Sequence, residues 1–322
     1  MHPDESLMPR EEIWVPSPRR LTLAERTAKA VVGAALAPMC WGIAHAWPVP
    51  GLGYQRRCAA LGLRLLAARP TRASLRWAYD LLVRPMDSTR YFEHAFVWDT
   101  LHPLLGGARH LDVSSPRLVA IMLLTHNRTL TSEMINPDRS DLEQSRQLVS
   151  FLGLSERCRL HESTISDAPF GPEEFDLVTC VSVLEHILED RHGLSAMWRL
   201  LRRGGRLVVT VPIKARRSEQ WINRDIYGLQ VADERGFTFW QRFYDDELLH
   251  QSIYSFVGEP RRIAVYGEKR RGTFLANAQR KRGDPFYPFW AEAIFMGREF
   301  RFWPSVDSLP GEGVAAMEFV KP

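Results

Sequence analysis

"RHLDVSSPRLVAI", residues 109–121, reads as a short buried strand that turns directly into a helix. The strand closes on an acid, Asp112, and Pro116 stands near the first helical turn, where its missing N–H leaves no bond unmade. In nucleotide-binding α/β proteins this turn is normally a run of glycines, because the backbone passes close to the ligand. Here it reads Ser114, Ser115, Pro116, Arg117. The strand–turn–helix unit is kept while its usual glycine chemistry is not.

The same rhythm continues outward from that stretch. "RTLTSE" (128–133) reads as a second strand, and residues 136–153 as a helix with Pro137 near its start and Gly153 at its stop. "RCRLHE" (157–162), "FDLVTCVSV" (175–183) and "RLVVTVP" (206–212) read as three further strands. Between the last two, Leu194, Met197, Trp198 and Leu201 share one helical face ahead of Gly204–Gly205. "RRIAVYGE" (261–268) and "GVAAMEFVK" (313–321) complete the set. Alternation of this kind implies an α/β, doubly wound, seven-stranded, mainly parallel sheet.

The flanking regions divide accordingly. Residues 1–18, rich in Pro and charge, read as a flexible tail, and 19–100 as an Arg-rich helical N-terminal cap. The main domain takes 101–322, with a long insertion at 269–304, before the last strand, that is rich in Arg, Phe and Trp. Within the cap, residues 30–47 carry no Asp, Glu, Lys or Arg, and basic residues flank them on both sides. A packed helical cap is expected there; an interfacial membrane element and a true span are the alternatives. Four scattered cysteines without metal-ligand spacing fit a reducing compartment, so a cytoplasmic protein, peripheral to a membrane if the cap touches one, is expected. A net charge of +4 is too small to argue for nucleic acid as a partner.

"FDLVTCVSVLEHI" followed by "LLRRGGRLVVTVP" resembles the class I S-adenosylmethionine-dependent methyltransferases. Phe175, Asp176, Leu184, Glu185, His186, Gly204, Gly205 and Pro212 match that family at its spacing, over a resemblance running from about residue 90 to 322. "APFGPEEFD" (168–176) resembles the stretch that precedes the family's fourth strand. The family's three alternating glycines fall here on Ser114, Pro116 and Leu118.

The resemblance implies S-adenosylmethionine as cofactor and methyl transfer to a small molecule or a glycan or lipid precursor. A catalytically altered protein of the same fold, acting as a binding or assembly partner, is the alternative that the missing glycines raise. Asp112, Ser114 and Ser115 are the expected cofactor contacts at the first turn, with Val181 at the fourth strand. Glu133, 21 positions after Asp112, has the spacing of an acid that accepts from both hydroxyls of a ribose. Thr164, Ile165 and Asp167 are the adenine candidates by the resemblance.

His186, just past the fourth strand, is placed to act as a base or to fix its loop, and Glu185 to orient the site. Tyr91, in a segment preceding the first strand, is a substrate candidate whose helical spacing favours the core instead. Trp240, Arg242 and Tyr244, after the fifth strand, fall where the resemblance implies substrate contacts, a capped surface helix from Asp245 being the alternative. The basic insertion favours an anionic substrate.

Overall fold

The computed structural model describes residues 8–15, 19, 21–68, 71–226, 228 and 230–322. Its first elements are a strand, β1 (Arg10–Ile13), and four helices: α1 (Leu23–Ala44), α2 (Leu52–Ala68), α3 (Arg72–Val83) and α4 (Arg90–Leu101). Thr22 and Glu25 open α1 with a reciprocal cap, Glu25 N–H bonding Thr22 Oγ1 at 3.3 Å and Thr22 N–H bonding Glu25 Oε2 at 2.8 Å. Strands and helices then alternate through β2 (Arg109–Val113), α5 (Leu118–His126), β3 (Thr131–Ile135), α6 (Arg139–Phe151) and β4 (Cys158–His161). Next come β5 (Phe175–Val181), α7 (Asp190–Leu200), β6 (Leu201–Lys214), β7 (Ser218–Ile222) and β8 (Thr238–Phe243). A helical run with ends α8 (Asp246–Leu249) and α9 (Ser255–Val257) leads to β9 (Arg262–Glu268). The insertion supplies α10 (Thr273–Gly283), α11 (Glu292–Glu299) and β10 (Phe300–Trp303), ahead of β11 (Glu312–Val320).

Eight strands form the main sheet in the order β10-β9-β11-β6-β5-β2-β3-β4. Strands β2 to β6 pair in parallel, while β11 lies antiparallel between β6 and β9. The doubly wound α/β class holds. An edge strand, β10, joins the seven expected strands, antiparallel to β9. The sheet is apolar on both sides because α4 and α5 cover one face and α7 with the 246–257 run covers the other. Strand order reverses between β2 and β5, so their carboxyl ends flank the crevice where ligands of such sheets lie.

Two local expectations change. Arg10–Ile13, expected within a loose tail, is a strand parallel to β7 in a separate three-stranded sheet with β8. Lys214 helps hold it there through Glu11, at 2.9 Å. The second strand begins later than its sequence suggests, because Asn127 Oδ1 accepts from the N–H groups of Thr129 and Leu130 and makes a turn there. It consequently runs on to Ile135, two residues beyond Glu133. The insertion packs against the cap: a Cβ on Gly33 of α1 would stand 2.5 Å from Tyr79 Oη and 2.8 Å from the Trp290 ring. Glu292, wholly buried, ties it to the cap by accepting from Ser88 N–H at 3.2 Å, and within the insertion it accepts from Tyr287 Oη at 2.8 Å and pairs with Lys281 at 2.6 Å.

At the sheet centre His110 is fully buried between the hydroxyls of Ser132, at 3.0 Å, and Thr179, at 2.9 Å. Burial pushes its imidazole down to about 3. The unfolded chain takes up that proton below pH 6.5 and the folded one does not, so stability falls as pH drops from 6.5 towards 3. His110→Gln, which cannot titrate, should remove a slope of up to about 1.4 kcal/mol per pH unit across that window. Chemical denaturation at several pH values checks this; identical slopes in the two proteins would contradict it.

Candidate functional site

The turn after β2 keeps the backbone that glycine usually supplies. Ser114 sits in the left-handed region, at φ 50°, and its N–H and hydroxyl both donate to Ile135 O, at 2.8 and 3.1 Å. Behind it Asp112, buried, accepts from Ser115 N–H at 3.0 Å and from the Thr179 hydroxyl at 2.9 Å. Burial pushes the Asp112 carboxyl up to about 7, against those hydrogen bonds. Ser115 Oγ in turn accepts from Val181 N–H at 3.0 Å, stitching the turn to β5. Ser182, the residue after β5, is also left-handed, at φ 48°.

Two cavities open at these strand ends. The first, of about 520 Å³, is lined by Val113, Ser114, Asn136, Asp138, Thr164, Ile165, Ser166, Val183, Ile187 and Leu188, among others. The second, of about 560 Å³, lies under the cap, between Trp77, Arg84, Asp87, Arg90, His94, Arg117 and Phe289. Ser114, Asp141, Ser182 and His186 line both. Each cavity is of the size that small ligands occupy.

Glu93 of α4 fixes the cap over this junction. Its carboxylate is wholly buried and accepts from the hydroxyls of Ser182 and Thr210, the latter at 2.6 Å, and from Arg90 Nη1 at 2.7 Å. Burial opposes its charge, but Arg90 and the two hydroxyls outweigh that and hold the carboxyl below its ordinary range. One turn along, His94 is buried with neither ring nitrogen hydrogen-bonded, and burial together with the Arg90 charge pushes it down to about 4.

His186 Nδ1 meets the Trp240 carbonyl, so that nitrogen carries the proton and Nε2 holds the lone pair. Burial pushes the ring down to about 4. Glu185 Oε1 lies 3.8 Å from Nε2, and burial pushes the Glu185 carboxyl up to about 8. Glu185 Oε2 is buried without a hydrogen-bond partner.

The expected site residues divide between the cavities and their supports. Ser114, Thr164, Ile165 and His186 line the first cavity. Ser115 lines the second, while Asp112, Glu185 and Val181 lie behind the walls. Glu133 does not line either cavity: within β3, its carboxylate meets His161 Nε2 at 2.8 Å and Arg109 at 3.6 Å. The strand-end position belongs to Asn136, which donates to Asp141 Oδ2 at 3.0 Å, with Asp138 beside it. Asp167 is exposed and accepts from the Thr164 hydroxyl at 2.7 Å, closing a local turn.

The substrate candidates line neither cavity. Tyr91 is core, 1% exposed, because α4 turns its Arg90–His94 side to the cavity instead. Arg242 and Tyr244 both grip Asp190, at 2.9 and 2.8 Å, and Arg242 Nη2 donates to Leu188 O, so they position a cavity wall from behind. Trp240 contributes its carbonyl to His186, and its ring lies under Arg282, 5.0 Å away. Sequence reading missed Asn136, Asp138, Arg90 and His94. For the last two a signal existed, since Asp87, Arg90 and His94 recur at helical spacing beside apolar neighbours.

Comparison with known proteins finds a domain match within the chain. Residues 119–209 match the model of the methyltransferase domain. An uncharacterized protein of Synechococcus sp. is 27% identical over 169 residues, 52% of this chain, and the chain spans 39% of that protein's length. Among solved structures, the cyclase SpnF is 19% identical, covering 86% of this chain and 98% of its own, at a TM-score of 0.45. Geranyl diphosphate C-methyltransferase from Streptomyces coelicolor A3(2) is 12% identical, covering 72% and 79%, at 0.45.

Glu93→Ala would strand Arg90 and leave two inward hydroxyls without an acceptor. It should destabilise the fold by about 3 kcal/mol, and Glu93→Gln by less, because an amide oxygen still accepts. Denaturant titration measures both; a loss near zero for the alanine variant would contradict the network.

Proposed function

We propose that this chain, which carries a class I methyltransferase domain, transfers the methyl group of S-adenosylmethionine to a small molecule held beneath the helical cap. The observation that carries this reading is the pair of cavities, which meet at Ser114, Ser182 and His186 over the carboxyl ends of β2 and β5. The first cavity fits the cofactor chemically. Val113, Ile165, Val183 and Ile187 offer an apolar surface to a purine, and Asn136, Asp138 and Thr164 offer polar groups to a ribose. When bound, S-adenosylmethionine supplies an electrophilic methyl group on a sulfonium.

In this reading Asn136 and Asp138 take the ribose role first expected of Glu133, and Thr164 and Ile165 the adenine role. Arg117, which pairs with Asp141 and lines the second cavity beside Ser114, would hold the carboxylate of the methionyl end. His186 is neutral at neutral pH and only weakly basic, so its part is to accept a hydrogen bond from the incoming nucleophile and align it. Residues 101–322 form the transfer domain, 19–100 roof the second cavity, and the 269–304 insertion adds Phe289 to its wall.

Trp77, Leu81, Met86 and Phe289 set against Arg84, Arg90 and Arg117, with Asp80, Asp87 and Asp141 in the same lining, suit a substrate with an apolar body and a polar head. A lipid or glycan precursor has that character. The four cysteines are unpaired, as a cytoplasmic setting would keep them. The proline-bearing turn supports a second reading, in which the cofactor binds without turnover.

Calorimetric titration with S-adenosylhomocysteine tests the central step. Binding is expected, weakened about tenfold by Asn136→Ala, the scale of one lost hydrogen bond in a closed site, and unchanged by Glu133→Gln. No binding, or binding of NAD instead, would overturn the reading.

A further inference from the structure

Among the described residues, the outer face of α1 has no partner in the fold. Val32, Leu36, Met39 and Ile43 recur at helical spacing along one side and are 45, 37, 54 and 43% exposed. The opposite side, Gly33, Ala37, Cys40 and Ala44, is small and buried, and it lets α1 lie close against α3, residues 289–291 and α11. Four aliphatic side chains in a row on a surface helix form a patch that monomers rarely leave in water.

Charge completes the pattern. Residues 19–79 hold ten Lys or Arg against one acid, Glu25, although the whole chain carries only +4. Arg56 and Arg64 of α2 and Arg72 and Arg76 of α3 are exposed, and among the described residues they form no ion pair. Leu63 and Leu75, exposed on the same two helices, stand between these arginines in sequence. An apolar stripe on one helix, followed by two helices that expose unpaired arginines, is the composition of a helix layer that lies in a membrane interface.

The geometry points to the α1–α3 cap as a docking surface for an anionic lipid bilayer, with α1 lying in the interface plane. The helix is long and apolar enough to cross a membrane, at a mean hydropathy of 1.3. Crossing would strip its small-residue face from α3 and α11 and break the bond from Lys29 Nζ to Pro285 O, at 2.7 Å. Lying flat keeps those contacts, buries the outer stripe among acyl chains and sets the arginines at headgroup level. Residues 289–291, against which the buried side of α1 packs, include Phe289 of the second cavity, so α1 itself stands between the docked face and that cavity's wall. This inference stands independently of methyl transfer.

Co-sedimentation of the full chain with vesicles tests it. The protein should pellet with an equal mixture of phosphatidylcholine and phosphatidylglycerol and remain in the supernatant with phosphatidylcholine alone. Val32→Glu with Met39→Glu, and separately Arg56→Glu with Arg64→Glu, should each weaken binding at least tenfold without altering the melting temperature, since all four side chains are exposed. Free glycerol phosphate should not compete. Failure to pellet, equal binding to both vesicles, retention through an alkaline carbonate wash (a span), unaltered binding by both variants, or competition by glycerol phosphate would each overturn the proposal. Loss of self-association in the Glu variants of a protein that never pellets would overturn it in favour of a second copy. Titration with S-adenosylhomocysteine would remain unaffected in every case, which separates this result from the function itself.

Discussion

One carboxylate joins the two halves of this molecule. Glu93 projects from α4 onto the carboxyl ends of β5 and β6, where it accepts from Ser182 and Thr210 while pairing with Arg90. The cap is thereby registered against the sheet at the place where both cavities meet. Arg90 and His94, on the same helix, take their positions in the second cavity from that one anchor. A buried carboxylate with this many donors stays charged despite its burial, and removing it would leave its partners unsatisfied.

The turn after β2 shows a conformation persisting when its usual residue does not. Glycine reaches the left-handed region freely; serine does so at about 1 kcal/mol or more. Ser114 is held there by two hydrogen bonds to Ile135 O, and Ser115 and Asp112 tie the following residues to β5. Ser182 repeats the left-handed geometry on the neighbouring strand. Two strained serines thus face each other across the junction of the cavities, and the surrounding hydrogen bonds balance the strain.

Much of the fold was legible because its signals are local. Apolar runs such as Leu207–Val211, the Gly204–Gly205 turn and the Phe175–His186 stretch each announce their element within a few residues. The site was less legible because it depends on where strands end. Asn127 delays β3 by a side-chain turn that propensity alone does not weigh, and a three-residue shift moves the cavity position from Glu133 to Asn136. Arg242 and Tyr244 were substrate candidates by their place after the fifth strand, which the sequence shows, whereas their shared partner Asp190, more than fifty residues earlier, is visible only in the fold. On α4 the aromatics attracted attention, while the core took them and left the polar face to the cavity.

The central claim is that the Asn136–Thr164 cavity holds the methyl donor and the Arg90–His94 cavity its acceptor. A crystal structure of the complex with S-adenosylhomocysteine tests it most directly. The account predicts adenosine between Asn136, Asp138 and Ile165, with the thioether sulfur facing Ser182 and His186 at the opening to the second cavity. Adenosine bound elsewhere, or the sulfur turned away from that opening, would contradict it.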